Sequence, residues 1–311
     1  MVITMNGFKP KKVEYVYIGK NTTDGAGVKL KRIFGGHESA VRTDPFLLLD
    51  HFGSDKPEEY LSGFPWHPHR GIETVTYLLE GKVEHQDSEG NRGTIFPSDI
   101  QWMSAASGIF HQEMPKPLDD KDPMELLLAT GMTTSSVGFQ LWINMPARTK
   151  MSTPMYNDIK GKTTPVVEDG NGSSVKIVAG EYLGTQGSLK GRAEIDPTYL
   201  DVRMDSESEF TFPVKAGYTS IVYSIAGEVL LNTSGDRLQP GYAAVFSNEG
   251  EIVSAFTKEN AGRFILLSGK PLREPIYWYG PMVMNSREQI NQAIMDLQND
   301  TFIRDKNPIF Q

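Results

Sequence analysis

The chain has 311 residues, no cysteine and a formal net charge of −8. The length fits two domains of roughly 150 residues each, and 39% hydrophobic with 23% charged residues excludes a disordered or membrane-embedded chain. Without cysteine there are no disulfides, thiolate metal sites or cysteine nucleophiles, and the acidic balance argues against a general binder of nucleic acid or anionic membrane.

The N-terminus lacks a basic segment followed by a long apolar run. No stretch of about 18 apolar residues follows it, so the expectation is a cytoplasmic protein with no membrane partner. Two short basic clusters, Lys9/Lys11/Lys12 and Lys29/Lys31/Arg32, read as solvated faces. Residues 72–79, β-branched and bounded by Gly71 and Gly81, predict a strand, and 83–85 continue it after a turn. Another turn falls at Gly90-Asn91, and residues 139–143 form a further apolar run closed by Pro146. Short strands at about 8–12-residue spacing point to a β-sandwich or barrel. The segment 149–175 is polar, with turn chemistry at 169–174, and marks a domain boundary near the middle. The strongest helical signal is 286–300, where Ile290, Ala293, Ile294 and Leu297 share one face and Ser286 with Gln289 forms a capping box. The halves also repeat: 73–83 can be laid on 219–229, and Ile95-Phe96-Pro97 precedes a turn as Leu238-Gln239-Pro240 does.

All six histidines lie within the first 111 residues. His67-Pro68-His69 and His111-Gln112-Glu113 are both i, i+2 pairs, and on a strand such residues share a face with Cα atoms about 6.5 Å apart. On facing strands the two pairs supply three imidazoles and a carboxylate to one ion. A sulfur-free set of this kind suits Fe(II), Mn, Ni, Cu or Zn. Either pair alone also fits a surface or loop position. The apolar flanks, Phe64-Pro65-Trp66 and Ile109-Phe110, weigh toward metal, because ionisable groups among apolar residues need a partner. Glu73 is a weaker ligand candidate whose alternative is a strand carboxylate paired with Arg70 or a hydroxyl. His85, on the next strand, is either solvated or faces the substrate. His37 and His51 read as structural or exposed, and Trp66, Phe110 and Trp102 as core or pocket aromatics.

These residues carry a family resemblance. His67-Pro68-His69-Arg70-Gly71, the segment 73–81, Asp99-Ile100-Gln101-Trp102-Met103 and the segment 108–115 together resemble the pirin family of the cupin superfamily. Asp44-Pro45-Phe46 and the stretches 271–275 and 279–285 resemble its outer segments. The resemblance implies an all-β bicupin: two jelly-roll β-barrels packed face to face, with a short C-terminal helix. It implies a metal-binding cupin over 1–150 and a metal-free one over 151–311. It assigns His67, His69, His111 and Glu113 as ligands, usually of iron. The general cupin motif Pro-x-Gly-x-x-His is not followed, since Asp99 stands at its Gly, and this demotes Glu73. Some members are quercetin 2,3-dioxygenases, which implies a flavonol and O2 as substrates and Glu113 as catalytic base. Phe64, Trp66, Phe110 and His85 are then candidate substrate contacts. Other members imply the alternative, an iron-bound, redox-sensitive regulator that acts on a protein partner.

Overall fold

The computed structural model describes residues 8–118, 134–189, 194–232 and 235–304. It forms two compact units that do not coincide with the contiguous halves expected from the sequence. One comprises Lys20–Glu38, Phe46–Lys162 and Arg273–Gln311; the other comprises Met1–Gly19, Ser39–Pro45 and Thr163–Leu272. The boundary expected at 150 therefore moves to Lys162, and each unit takes in a terminal segment of the chain. The reason is strand pairing and docking. Met155–Ile159 pairs with Ile100–Ser104 in the first unit, and Val13–Ile18 pairs with Tyr242–Phe246 in the second.

Each unit has a seven-stranded and a four-stranded antiparallel sheet. In the first unit the seven strands lie in the order Met155–Ile159, Ile100–Ser104, Ile72–Glu80, Ser136–Asn144, Phe46–Ser54, Val28–Gly35 and Lys20–Asp24. The four are Phe64–His69, Ile109–Lys116, Lys82–Asp87 and Arg92–Ile95. The second unit repeats this plan strand for strand, and Thr219–Ala226 occupies the place of Ile72–Glu80. The repeat read from 73–83 and 219–229 is thus a duplicated cupin. Inside the second unit, Phe210, Phe212, Val253 and Ala255 are buried in one apolar core with Phe264 and Leu266. The short strands that carry the histidine pairs in the first unit carry those core residues here.

The helix Arg287–Gln298 is capped as expected. The Gln289 amide donates to Ser286 Oγ at 3.2 Å, while Gln289 Oε1 accepts from the amide of Asn285 at 2.9 Å. Ile290 and Ala293 pack with Met282, Met284 and Phe302, and Ile294 and Leu297 lie against the same cluster. The helix and the hairpin Tyr277–Tyr279/Met282–Met284 are held on the first unit by two buried basic side chains. Arg70 donates to Asp296 at 2.6 Å, to Ser107 O at 2.6 Å and to Phe302 O at 2.9 Å. Lys150 Nζ donates to Gly71 O and Asn144 Oδ1 at 2.6 Å and to Val283 O at 2.8 Å. Gly71 lets the hairpin approach. It sits at φ +78°, and a Cβ there would come within 2.1 Å of Val283 O. No helix among the described residues is long and apolar enough to cross a membrane.

The two basic clusters are not simply solvated. Lys11 is fully buried and donates to Ser247 O at 2.6 Å, and Arg32 forms a two-bond ion pair with buried Asp50.

Candidate metal centre

Antiparallel pairing brings the two histidine strands together: His111 faces His67, and Ile109 faces His69. The side chains of His67, His69 and His111 each present one nitrogen, and these lie within 4.8 Å of one another. His69 Nε2 is 3.1 Å from His67 Nε2, which is 2.9 Å from His111 Nε2. The other ring nitrogens set the tautomers. His67 Nδ1 lies 2.8 Å from Pro65 O and His69 Nδ1 lies 3.2 Å from Pro281 O. A carbonyl only accepts, so both Nδ1 atoms carry the hydrogen and both Nε2 atoms present lone pairs. Burial, reinforced by the neighbouring His67, holds His69 down at about 3, and burial pushes His111 well below the usual histidine range. The ring nitrogens of His67, His69 and His111 gather within 4.8 Å while carbonyls fix the far nitrogens of His67 and His69, an arrangement suited to a divalent ion bound by imidazoles.

Glu113 stands beside this cluster. A register shift between His111 and Glu113 sets Glu113 opposite Phe64. Its carboxyl Oε1 lies 2.7 Å from Thr76 Oγ1, and its Oε2 accepts from Gln140 Nε2 at 3.3 Å. Thr76 Oγ1 also lies 2.6 Å from Gln140 Oε1. One hydroxyl proton cannot serve two acceptors. Thr76 can donate to the Glu113 carboxyl or to Gln140 Oε1, so the three groups form one hydrogen-bonded network. Burial raises Glu113 above the usual carboxyl range, and the bonds from Thr76 and Gln140 oppose that rise.

A cavity of about 610 Å³ opens on His67, His69, Glu113, Thr76 and Gln140. Its walls include Phe64, Trp66, Phe52, Leu30, Trp142 and Trp278. Trp142 stands edge-on to His69, with ring centroids 5.0 Å apart, and lies 5.9 Å from Trp278. Phe64 and Trp66 line the cavity. Two candidates do not. Phe110 alternates to the other side of its strand and packs against Phe302, centroids 5.6 Å apart. His85 is occupied by Tyr156, whose hydroxyl is 2.9 Å from its Nε2, and it lies outside the cavity lining. Glu73 points away from the histidines and accepts from Trp102 Nε1 at 2.7 Å and Ser104 Oγ at 2.6 Å. His51 stacks near Phe139, and His37 lies 6.3 Å from Trp278. Sequence reading missed Thr76, Gln140, Trp142, Trp278 and Arg32. Alternation was the available signal, because Leu30/Arg32, Thr74/Thr76 and Gln140/Trp142 are i, i+2 pairs like the histidines.

The fold and the three imidazoles define a class: a bicupin whose first barrel gathers three histidine nitrogens able to take a metal ion. Family models described as pirin and as the pirin C-terminal cupin domain match residues 27–143 and 199–303. A pirin-like protein of Caulobacter vibrioides is 41% identical over 286 residues, covering 91% of this chain and 96% of the relative. The chain belongs to the pirin family. It is also similar to the crystal structure of a quercetin 2,3-dioxygenase from Acinetobacter baumannii, with TM-score 0.83, 32% identity, and 94% of this chain and 98% of that one covered. An Escherichia coli pirin solved in complex with nickel(II) shares the fold at TM-score 0.61 and 20% identity, covering 83% of this chain and 98% of that one.

Proposed function

We propose that this pirin is an Fe(II)-dependent dioxygenase that opens a flavonol such as quercetin with O2 and releases carbon monoxide. The observation that carries the reading is the set of converging Nε2 lone pairs at one end of a flat-walled aromatic cavity. His67, His69 and His111 would hold the metal through their imidazoles, and Glu113 would be the fourth ligand. Bound there, the ion supplies Lewis acidity toward the flavonol 3-oxygen and electron exchange with O2. The protein does the rest. Trp142 and Trp278, with Phe64 and Trp66, sandwich the flat rings and exclude water. Glu113 is the general base for the 3-hydroxyl proton, and Thr76 and Gln140 hold its carboxyl once protonated. The similarity to the Acinetobacter quercetin 2,3-dioxygenase supports the substrate class.

The test is direct. The protein is purified without added metal, its metal content is measured, and quercetin absorbance is followed in air with and without Fe(II). Iron-dependent loss of quercetin with carbon monoxide release is the expected result. Bound iron with no loss of any flavonol would overturn the enzyme and favour the regulator.

A further inference from the structure

One register row crosses the seven-stranded sheet of the metal-binding unit. Its pairings run from Gln101 to Thr76, Thr76 to Gln140, Gln140 to Asp50 and Asp50 to Arg32. The adjacent row of Leu30, Phe52, Gly138 and Leu78 carries no side-chain polar atom. A buried polar row amid apolar ones is costly unless its groups are bonded. The Thr76–Gln140 end is bonded to Glu113 at the metal site. The other end is a charge cluster on the cavity lining. Arg32 Nε and Nη2 donate to the two Asp50 oxygens at 2.9 and 2.7 Å, and Nη2 also donates to Asp24 Oδ2 at 2.7 Å. Among the described residues, Arg32 Nη1 donates to no acceptor. Asp24 takes one further bond, from the Gly25 amide at 2.7 Å, and its side chain is half exposed. The cluster has two carboxylates and one guanidinium. Two strand spacings, about 10 Å, separate Gln140 from Arg32.

We infer that Asp24, Arg32 and Asp50 form a recognition site for an uncharged phenolic hydroxyl on the ligand ring farthest from the metal. This deepens the flavonol reading and rests on it. A phenol both donates and accepts, so it can give its proton to a carboxylate of the cluster and receive a bond from Arg32 Nη1. A carboxylate on that ring only accepts, and it would meet two aspartates with a single counter-charge. The site asks for a rigid aromatic ligand that binds the metal at one end and reaches the Asp24–Arg32–Asp50 cluster with a hydroxyl at the other.

The test is binding, read by quenching of the emission of Trp66, Trp142 and Trp278 on the cavity wall. The full chain is loaded with Zn(II), which is redox-inert. It is titrated with quercetin, with 3-hydroxyflavone, which lacks the distal hydroxyls, and with 3-hydroxyflavone bearing a carboxylate on its distal ring. Quercetin should bind at least about tenfold more tightly than 3-hydroxyflavone, equivalent to about 1.4 kcal/mol, and the carboxylated ligand should bind most weakly. In Asp24→Asn, and in Asp24→Ser as a second variant at this half-exposed position, the quercetin preference should shrink by about threefold or more while the carboxylated ligand gains affinity. Equal affinities for the two flavonols, or a preference unchanged by both variants, would overturn the recognition site and leave the flavonol reading standing. Quenching by none of the three would overturn both.

Discussion

Arg70→Met is the substitution whose consequences the structure sets most tightly. The guanidinium is 1% exposed and pairs with Asp296 at 2.6 Å. It also serves two carbonyls and lies 4.1 Å over the Phe302 ring. Removing one member of a buried pair typically costs about 3–5 kcal/mol, because the remaining charge stays desolvated and unpaired. Two orphaned carbonyls add about 1–3 kcal/mol each. Arg304, 3.7 Å from Asp296 and half exposed, compensates part of the charge. Such a half-exposed pair offsets about 1 kcal/mol at most, so the expected net loss is at least about 4 kcal/mol. The double variant Arg70→Met/Asp296→Leu removes both charges, so its loss should be well below the sum of the two single losses. The assay is urea unfolding followed by tryptophan emission. All four tryptophans, Trp66, Trp102, Trp142 and Trp278, lie in the first unit, so the signal reports that unit alone. Metal affinity should fall with stability, by about tenfold or more, because the anchored segment supplies the Pro281 carbonyl that orients His69. A loss below about 1 kcal/mol, or strictly additive single effects, would refute the reasoning.

Four further outcomes are expected. His69→Ala should reduce metal content from one ion per chain to nearly none by elemental analysis; full occupancy would remove His69 from the ligand set. Glu113→Gln should retain metal through the three imidazoles yet lose quercetin turnover, and full activity would exclude Glu113 as the base. Burial lowers the Lys150 amine to about 7. From pH 7 to about 10 the unfolded chain, with its lysine near 10.4, therefore holds a proton that the fold has released. Through this group stability rises with pH by at most about 1.4 kcal/mol per unit, and below pH 7 the contribution is gone. Lys150→Met should flatten that slope, and parallel slopes would refute the assignment. Gly71→Ala, which forces a Cβ against Val283 O, should cost about 3 kcal/mol in the same unfolding assay; a neutral result would mean the hairpin yields freely.

The histidine cluster was legible because strand periodicity is local: two residues apart means one face, which put His67 with His69. The same spacing read Glu113 beside His111 as a fourth donor, but the register shift after His111 sets Glu113 on Thr76 and Gln140, outside the group formed by the three histidines. The helix at 287–298 was legible from its cap and apolar face. Its apolar face implied docking on a sheet, and it packs on the strand Met282–Met284; its polar anchors were not legible, because Arg70 and Lys150 reach partners more than a hundred residues away. The same holds for the unit boundary. Composition marked a polar break after Thr149, but the strand at 155–159 finishes the first sheet and the N-terminal strand enters the second, and pairing of that range leaves no local trace. Phe110 and Phe64 are equally aromatic in sequence; only the alternation of their strands sends one toward Phe302 and the other to the cavity.

The central claim, one ion held by three neutral imidazoles in the first barrel alone, is tested most directly by X-ray absorption at the metal edge of the protein as purified. The account predicts one ion per chain with three imidazole nitrogens at about 2.1 Å. It also predicts that His67→Ala strips those nitrogen shells. A spectrum without imidazole scattering, or a bound ion that survives loss of His67, His69 and His111 together, would contradict it.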